Sequence, residues 1–167
     1  MKSLDTHFAR RIFSKKFFLF LLGILVLSFI LLKGFRQKDI PASQGQAEKI
    51  ATVSIGHKQI KAFIADTPAL QEKGLGGRDS IAPDEAMLFV FGVSAPYGFW
   101  MKDMSFPIDI FWLDQAGRII FIEADALPSS YPEIFTPPSP AQYVLETRAD
   151  FARENNLKIG DEISFSE

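Results

Sequence analysis

Short apolar runs that alternate with polar residues, broken every few positions by glycine or proline, constrain this chain more than any other feature. Over residues 49–55, Ala51, Val53 and Ile55 fall on one side and Thr52 and Ser54 on the other. Residues 59–65 repeat the pattern through Ile60, Ala62 and Ile64. A period of two is that of a half-buried strand, and the Gly56-His57 pair between the runs suits a hairpin turn. Further strands are expected at 86–91, 99–104, 108–113, 118–124, 143–147 and 162–165, with a turn-forming loop at 92–97.

Helix signals are few. Thr67-Pro68 pairs a capping hydroxyl with proline at the first helical position, and Gly74, Gly76 and Gly77 stop that helix within two turns. A second short helix is expected over 149–156, anchored by Phe151. Residues 125–141 carry prolines at 128, 132, 137, 138 and 140, a density that leaves a long surface loop. About eight short strands and two short helices, without strand–helix alternation, predict an all-β domain: a jelly-roll-like antiparallel sandwich or a distorted barrel.

The N-terminal part is of a different kind. Residues 17–32 are uncharged and almost wholly apolar. With Lys33 snorkelling, 17–35 makes roughly 28 Å of helix at ~1.5 Å per residue, close to the hydrocarbon thickness of a bilayer. Arg10, Arg11, Lys15 and Lys16 precede it, and Lys33, Arg36 and Lys38 follow. The heavier positive flank places the N-terminus in the cytoplasm. A cleaved signal peptide would want small residues after the apolar run, where the chain reads Lys33-Gly34-Phe35-Arg36. The expected organisation is a cytoplasmic basic leader (1–16), a transmembrane signal-anchor (17–35), a flexible tether (36–48) and a β-rich domain (49–166). The domain would face outward from a bacterial inner membrane.

Charge follows that division: residues 1–45 carry a net +6 and residues 46–167 a net −8, giving −2 for the chain. An acidic domain repels phosphate, which argues against nucleic acid as a partner. There is no cysteine, so disulfides, thiolate metal sites and a cysteine nucleophile are excluded together. The domain's one histidine, His57, falls at a turn. No transition-metal site and no cofactor are therefore expected, and Asp79, Asp84 and Glu85 lack the ligand spacing of a calcium loop.

What chemistry remains lies in and around residues 99–113 (FWMKDMSFPIDIFWL). Both tryptophans, Trp100 and Trp112, sit there beside phenylalanine, and Lys102, Asp103 and Asp109 interrupt the apolar run. In a strand Asp109 shares its face with Pro107, Phe111 and Leu113, and a carboxylate in such a place is costly to bury unless paired. Lys102 and Arg78 are candidate partners, and Glu146, inside the strand at 143–147, poses the same question. Three readings stay open: a structural ion pair or amide-bonded carboxylate, a ligand-contacting polar cluster, and acid–base catalysis. The phenylalanines and tryptophans are expected in the core unless one tryptophan is exposed.

Several segments, taken together, resemble the domain-of-unknown-function 192 family of bacteria and archaea. They are Ala65-Asp66-Thr67, Gly74-Leu75-Gly76-Gly77-Arg78, Met87-Leu88-Phe89-Val90-Phe91, Phe99-Trp100-Met101-Lys102, Pro107-Ile108-Asp109-Ile110 and Tyr143-Val144-Leu145-Glu146, with Gly160-Asp161 near the end. Asp103 stands where that family commonly has asparagine, which adds a negative charge beside Lys102. The resemblance implies a compact jelly-roll-like β fold, often exported or membrane-tethered, and no set activity. The function expected is an envelope-facing binding domain whose candidate ligand contacts are Arg78, Trp100, Lys102, Asp103, Asp109 and Glu146. It would take a small or polymeric ligand or a protein partner. The alternatives are a hydrolase or lyase acting on envelope saccharides through Asp109 and Glu146, and a structural module without a ligand.

Overall fold

The computed structural model describes residues 48–166. The basic leader, the 17–35 anchor and nearly all of the tether lie outside the described residues. Among the described residues, no helix is long and apolar enough to cross a membrane.

Strands β1 (Ile50–Ile55) and β2 (Lys58–Ala65) form the expected antiparallel hairpin around Gly56-His57. Helix α1 (Pro68–Lys73) follows, its first turn capped by the Thr67 hydroxyl, which accepts from the Leu70 N–H at 3.4 Å. Then come β3 (Glu85–Ala95), β4 (Ile108–Leu113), β5 (Ile119–Ala126), a single 3-10 turn at Pro128–Ser130, β6 (Ala141–Arg148), helix α2 (Phe151–Glu154) and β7 (Ile163–Ser166). Between β4 and β5, Asp114 turns the chain by accepting from Ala116 N at 2.8 Å and Arg118 N at 2.9 Å.

All seven strands belong to one sheet in the order β5-β4-β6-β3-β2-β1-β7. Its two edges approach each other at one end. Ile119 N donates to Asp161 O at 2.8 Å and Ile163 N donates to Gly117 O at 2.9 Å, beside an Arg118–Glu162 bridge. The sheet is thus curled into a half-closed barrel, and the two-sheet sandwich expectation is corrected. Gly117, at φ +79°, makes that closure possible, because a Cβ there would collide with the Ile163 carbonyl.

Three local expectations also change. β2 and β3 pair in parallel, Ala62 against Ala86 and Ile64 against Leu88; residues 66–84, including α1, form the long crossover that parallel neighbours need. β3 runs on to Ala95 through an irregularity after Val90, where a turn was expected. Residues 99–104 form no strand: their only strand-like pairing among the described residues is the Phe99–Phe135 bridge, and the chain then turns at Lys102-Asp103.

The sheet is apolar on both faces, for different reasons. Its concave face gathers Val53, Ala62, Leu88, Phe111, Leu145, Ile163 and the α2 anchor Phe151 into the barrel interior. Its convex face carries Met87, Phe89, Ile110, Trp112 and Val144, and the loops bearing Leu75, Ile81 and Met101 close over them. An antiparallel sheet can leave one face to water; here the long loops cover part of the second face, and polar groups on that face become buried.

Candidate functional site

Two carboxylates are buried in adjacent positions of the sheet, and register sends them to opposite faces. β4 and β6 pair Asp109 with Thr147 and Ile110 with Glu146. Asp109 therefore points with Phe111 and Leu113 into the barrel, and Glu146 points with Ile110 and Val144 to the convex face.

The two environments differ in what they offer a negative charge. Asp109 is 0% exposed. Its Oδ1 accepts from Asp125 N at 2.8 Å and its Oδ2 from Ala152 N, in the first turn of α2, at 2.8 Å. Asp125 in turn accepts from Asp150 N at 3.2 Å. Asp109 thus ties β4 to the end of β5 and to α2, a carboxylate bonded to loop and helix amides.

Glu146 receives nothing of the kind. It is 5% exposed, and its Oε2 is buried without a hydrogen-bond partner. Met87 and Ile110 flank it across the sheet. Burial alone pushes its carboxyl up to about 8, so it is a neutral acid at neutral pH. Above it lies a cavity of about 60 Å³, room for about four water-sized positions at ~15 Å³ each. Trp100, Lys102, Lys73 and the backbone at Gly74 to Gly76 line that cavity with Glu146.

The walls are held by main-chain bonds between two loops. Gly77 N donates to Asp103 O at 2.9 Å, and the Ser105 hydroxyl donates to Arg78 O at 2.8 Å. Phe99 and Phe135 exchange both backbone hydrogen bonds, at 2.9 and 2.8 Å. Gly76 sits in the seam, where a Cβ would lie 2.9 Å from Lys73 O and 3.4 Å from Lys102 O. The helix-stopping glycines of the sequence thus also let the first loop pass close to the second.

Of the six candidates, Trp100, Lys102 and Glu146 come together. Trp100 is 45% exposed on the cavity wall, whereas Trp112 is fully buried and donates from Nε1 to Tyr97 O at 2.8 Å. Lys102 forms no ion pair among the described residues. Asp109 is excluded by its face. Arg78 lies outside the lining: its guanidinium stacks 4.5 Å over Phe63 and reaches Glu48 at 3.4 Å. Asp103 adopts φ +58° in the turn and gives the site a backbone carbonyl bond, not its side chain. Neither Arg78 nor Lys102 partners Asp109, and Asp109 and Glu146 cannot serve as an acid–base pair across one substrate. Lys73 and Gly98 were not singled out as site residues; their place on the wall follows from the crossover and from the Phe99–Phe135 bridge, which no local pattern announces.

The family model described as an uncharacterised ACR, DUF192, matches residues 51–165. The chain belongs to the DUF192 family. No curated protein matches it in sequence. Two solved structures are similar to this DUF192 domain. One, from Sinorhizobium meliloti 1021 and provisionally described as a transcription regulator, is 29% identical, with a TM-score of 0.65 over 71% of this chain and 94% of its own. The other, a protein of unknown function from Novosphingobium aromaticivorans DSM 12444, is 28% identical, with a TM-score of 0.62 over 70% of this chain and 84% of its own.

Proposed function

We propose that this DUF192 domain is a binding module that takes a small ligand, or the end of a larger one, in the cavity over Glu146. The observation that carries the reading is a buried carboxyl with an unpartnered oxygen beside a cavity whose wall includes a half-exposed tryptophan. A buried polar group without a partner is costly to keep, and an exposed tryptophan beside it supplies an apolar surface for a ligand body. The saccharide-hydrolase alternative loses its paired carboxylates to the register of β4 and β6. The regulatory description of the Sinorhizobium neighbour carries little weight for this chain, because residues 46–167 hold a net −8 and would repel DNA phosphate.

A ligand-observed NMR screen of a fragment library against the wild type and Trp100→Ala checks this. Hits on the wild type should weaken by about tenfold or more in the variant, with an unchanged thermal midpoint. The same hits at the same affinity in both proteins would end the proposal.

We also propose that residues 17–35 anchor the domain outside the cytoplasm, supported by the uncharged run and its basic flank. Protease added to intact spheroplasts should remove the domain and leave a membrane-embedded stub; a protected domain would overturn the orientation.

A further inference from the structure

The contrast between the two buried carboxyls says what the Glu146 cavity can hold. Asp109 meets two backbone N–H donors at 2.8 Å, one on each oxygen. Glu146 meets no N–H donor among the described residues, and its burial favours the neutral form, which keeps an O–H. The raised pKa agrees with that geometry, with burial as its cause. Glu146 Oε2 has no hydrogen-bond partner among the described residues, which leaves its O–H on the cavity wall for an acceptor oxygen.

The charged groups around the cavity set the sign of that acceptor. From α1 come Glu72 and Lys73, and from the loop over the convex face comes Lys102. Met87 of β3 and Ile110 of β4 are apolar. Arg148, two residues along β6, gives its two terminal guanidinium nitrogens to Glu154 and Ala149 O, while its buried Nε has no partner among the described residues. With Glu146 neutral, the lining carries one excess positive charge. It disfavours a cation and suits an anionic oxygen. Trp100, Phe99 and Met104 add an apolar wall beyond the polar end.

We infer that the cavity takes the carboxylate of a small organic acid, which accepts an O–H from Glu146 and is neutralised by Lys73 and Lys102, its hydrocarbon part lying against Trp100. This rests on the ligand-binding reading above and narrows it to one ligand class. The arrangement makes binding proton-dependent, because ionised Glu146 would repel the ligand it otherwise donates to.

The test uses the full chain in a non-ionic detergent and carboxylate-free buffer, with acetate, benzoate, inorganic phosphate, methylammonium and glucose as probes. Tryptophan fluorescence reads binding, since Trp100 is exposed and Trp112 sealed. Benzoate should shift the emission at pH 6.5, and its affinity should fall about tenfold for each pH unit above 8. Glu146→Gln, which keeps a donor, should bind benzoate with a flat profile over the same range. Lys102→Ala should weaken benzoate by roughly threefold, as expected for an exposed charge. Benzoate affinity independent of pH in the wild type would overturn the inference, as would a Gln variant that retains the pH dependence. Binding of methylammonium, glucose or phosphate in place of the carboxylates would overturn the ligand class and leave the cavity's role standing. Silence from every probe, with a blank fragment screen at Trp100, would remove both.

Discussion

Replacing Asp109 by alanine is expected to lower the stability of the β domain by about 3–6 kcal/mol. The carboxylate is 0% exposed and accepts two backbone N–H bonds at 2.8 Å. Its loss leaves the Ala152 N–H buried with no acceptor and opens a void where β4, the end of β5 and α2 meet. Hydrogen bonds to a charged acceptor contribute ~1.5–3 kcal/mol each, so two of them set the range. For a domain of this size the thermal midpoint should fall by roughly 15 °C. Asp109→Asn preserves shape but turns one acceptor into a donor facing a donor, and about half the loss is expected. Urea unfolding of both variants measures this, and an Ala variant within 1 kcal/mol of the wild type would refute the structural role.

Glu146→Gln should do the opposite, and only where pH permits. The folded carboxyl is raised from 4.5 to about 8 by burial. Below the unfolded value both states hold the proton and stability is insensitive to pH. Between 4.5 and 8 the unfolded chain has released it while the folded chain still keeps it, so stability declines as pH rises, and the decline levels off above the folded value. At ~1.4 kcal/mol per pH unit, the wild type forfeits roughly 3 kcal/mol by pH 7 relative to pH 4. Glutamine has no proton to lose. The variant should therefore gain about 3 kcal/mol, or roughly 12 °C, against the wild type on going from pH 4 to pH 7. Comparing the two pH profiles cancels whatever constant cost the buried amide brings. Parallel profiles would show that Glu146 is ionised in the folded protein.

These two expectations have opposite signs although the residues occupy neighbouring cross-strand rows and read alike in sequence. Each is an acid inside an apolar strand. The pattern around Asp109 shows that its face is apolar, and that around Glu146 does the same, but neither shows what donor stands opposite. The donors for Asp109 come from Asp125 and Ala152, the second of them 43 residues away. The vacancy at Glu146 arises because α1 and the 98–106 loop arch over the convex face without offering an N–H to its Oε2.

Other features were fully local. The β1–β2 hairpin follows from two alternating runs and a Gly56-His57 turn. The start and stop of α1 follow from Thr67, Pro68 and Gly74. Phe151 was legible as the anchor of α2, and it is completely buried. Where local reading failed, a distant partner had overruled it. Residues 99–104 have strand-like composition but pair only through Phe99, because the rest of the segment is drawn into the turn that closes the cavity. The parallel pairing of β2 with β3 was invisible because α1 is too short to advertise a crossover.

By itself the sequence determined that this would be a β-rich domain, that the alternating apolar positions of its strands would be buried and that a few charges would lie among them. Those properties depend on side chains one, two or four positions apart along the same segment. Tertiary structure alone decided that the sheet would curl into a half-closed barrel, that Asp109 would be satisfied inside it and that Glu146 would be left with a free oxygen in a cavity outside it. Register between strands far apart in the chain fixes those outcomes, and a shift of one residue would exchange the two faces.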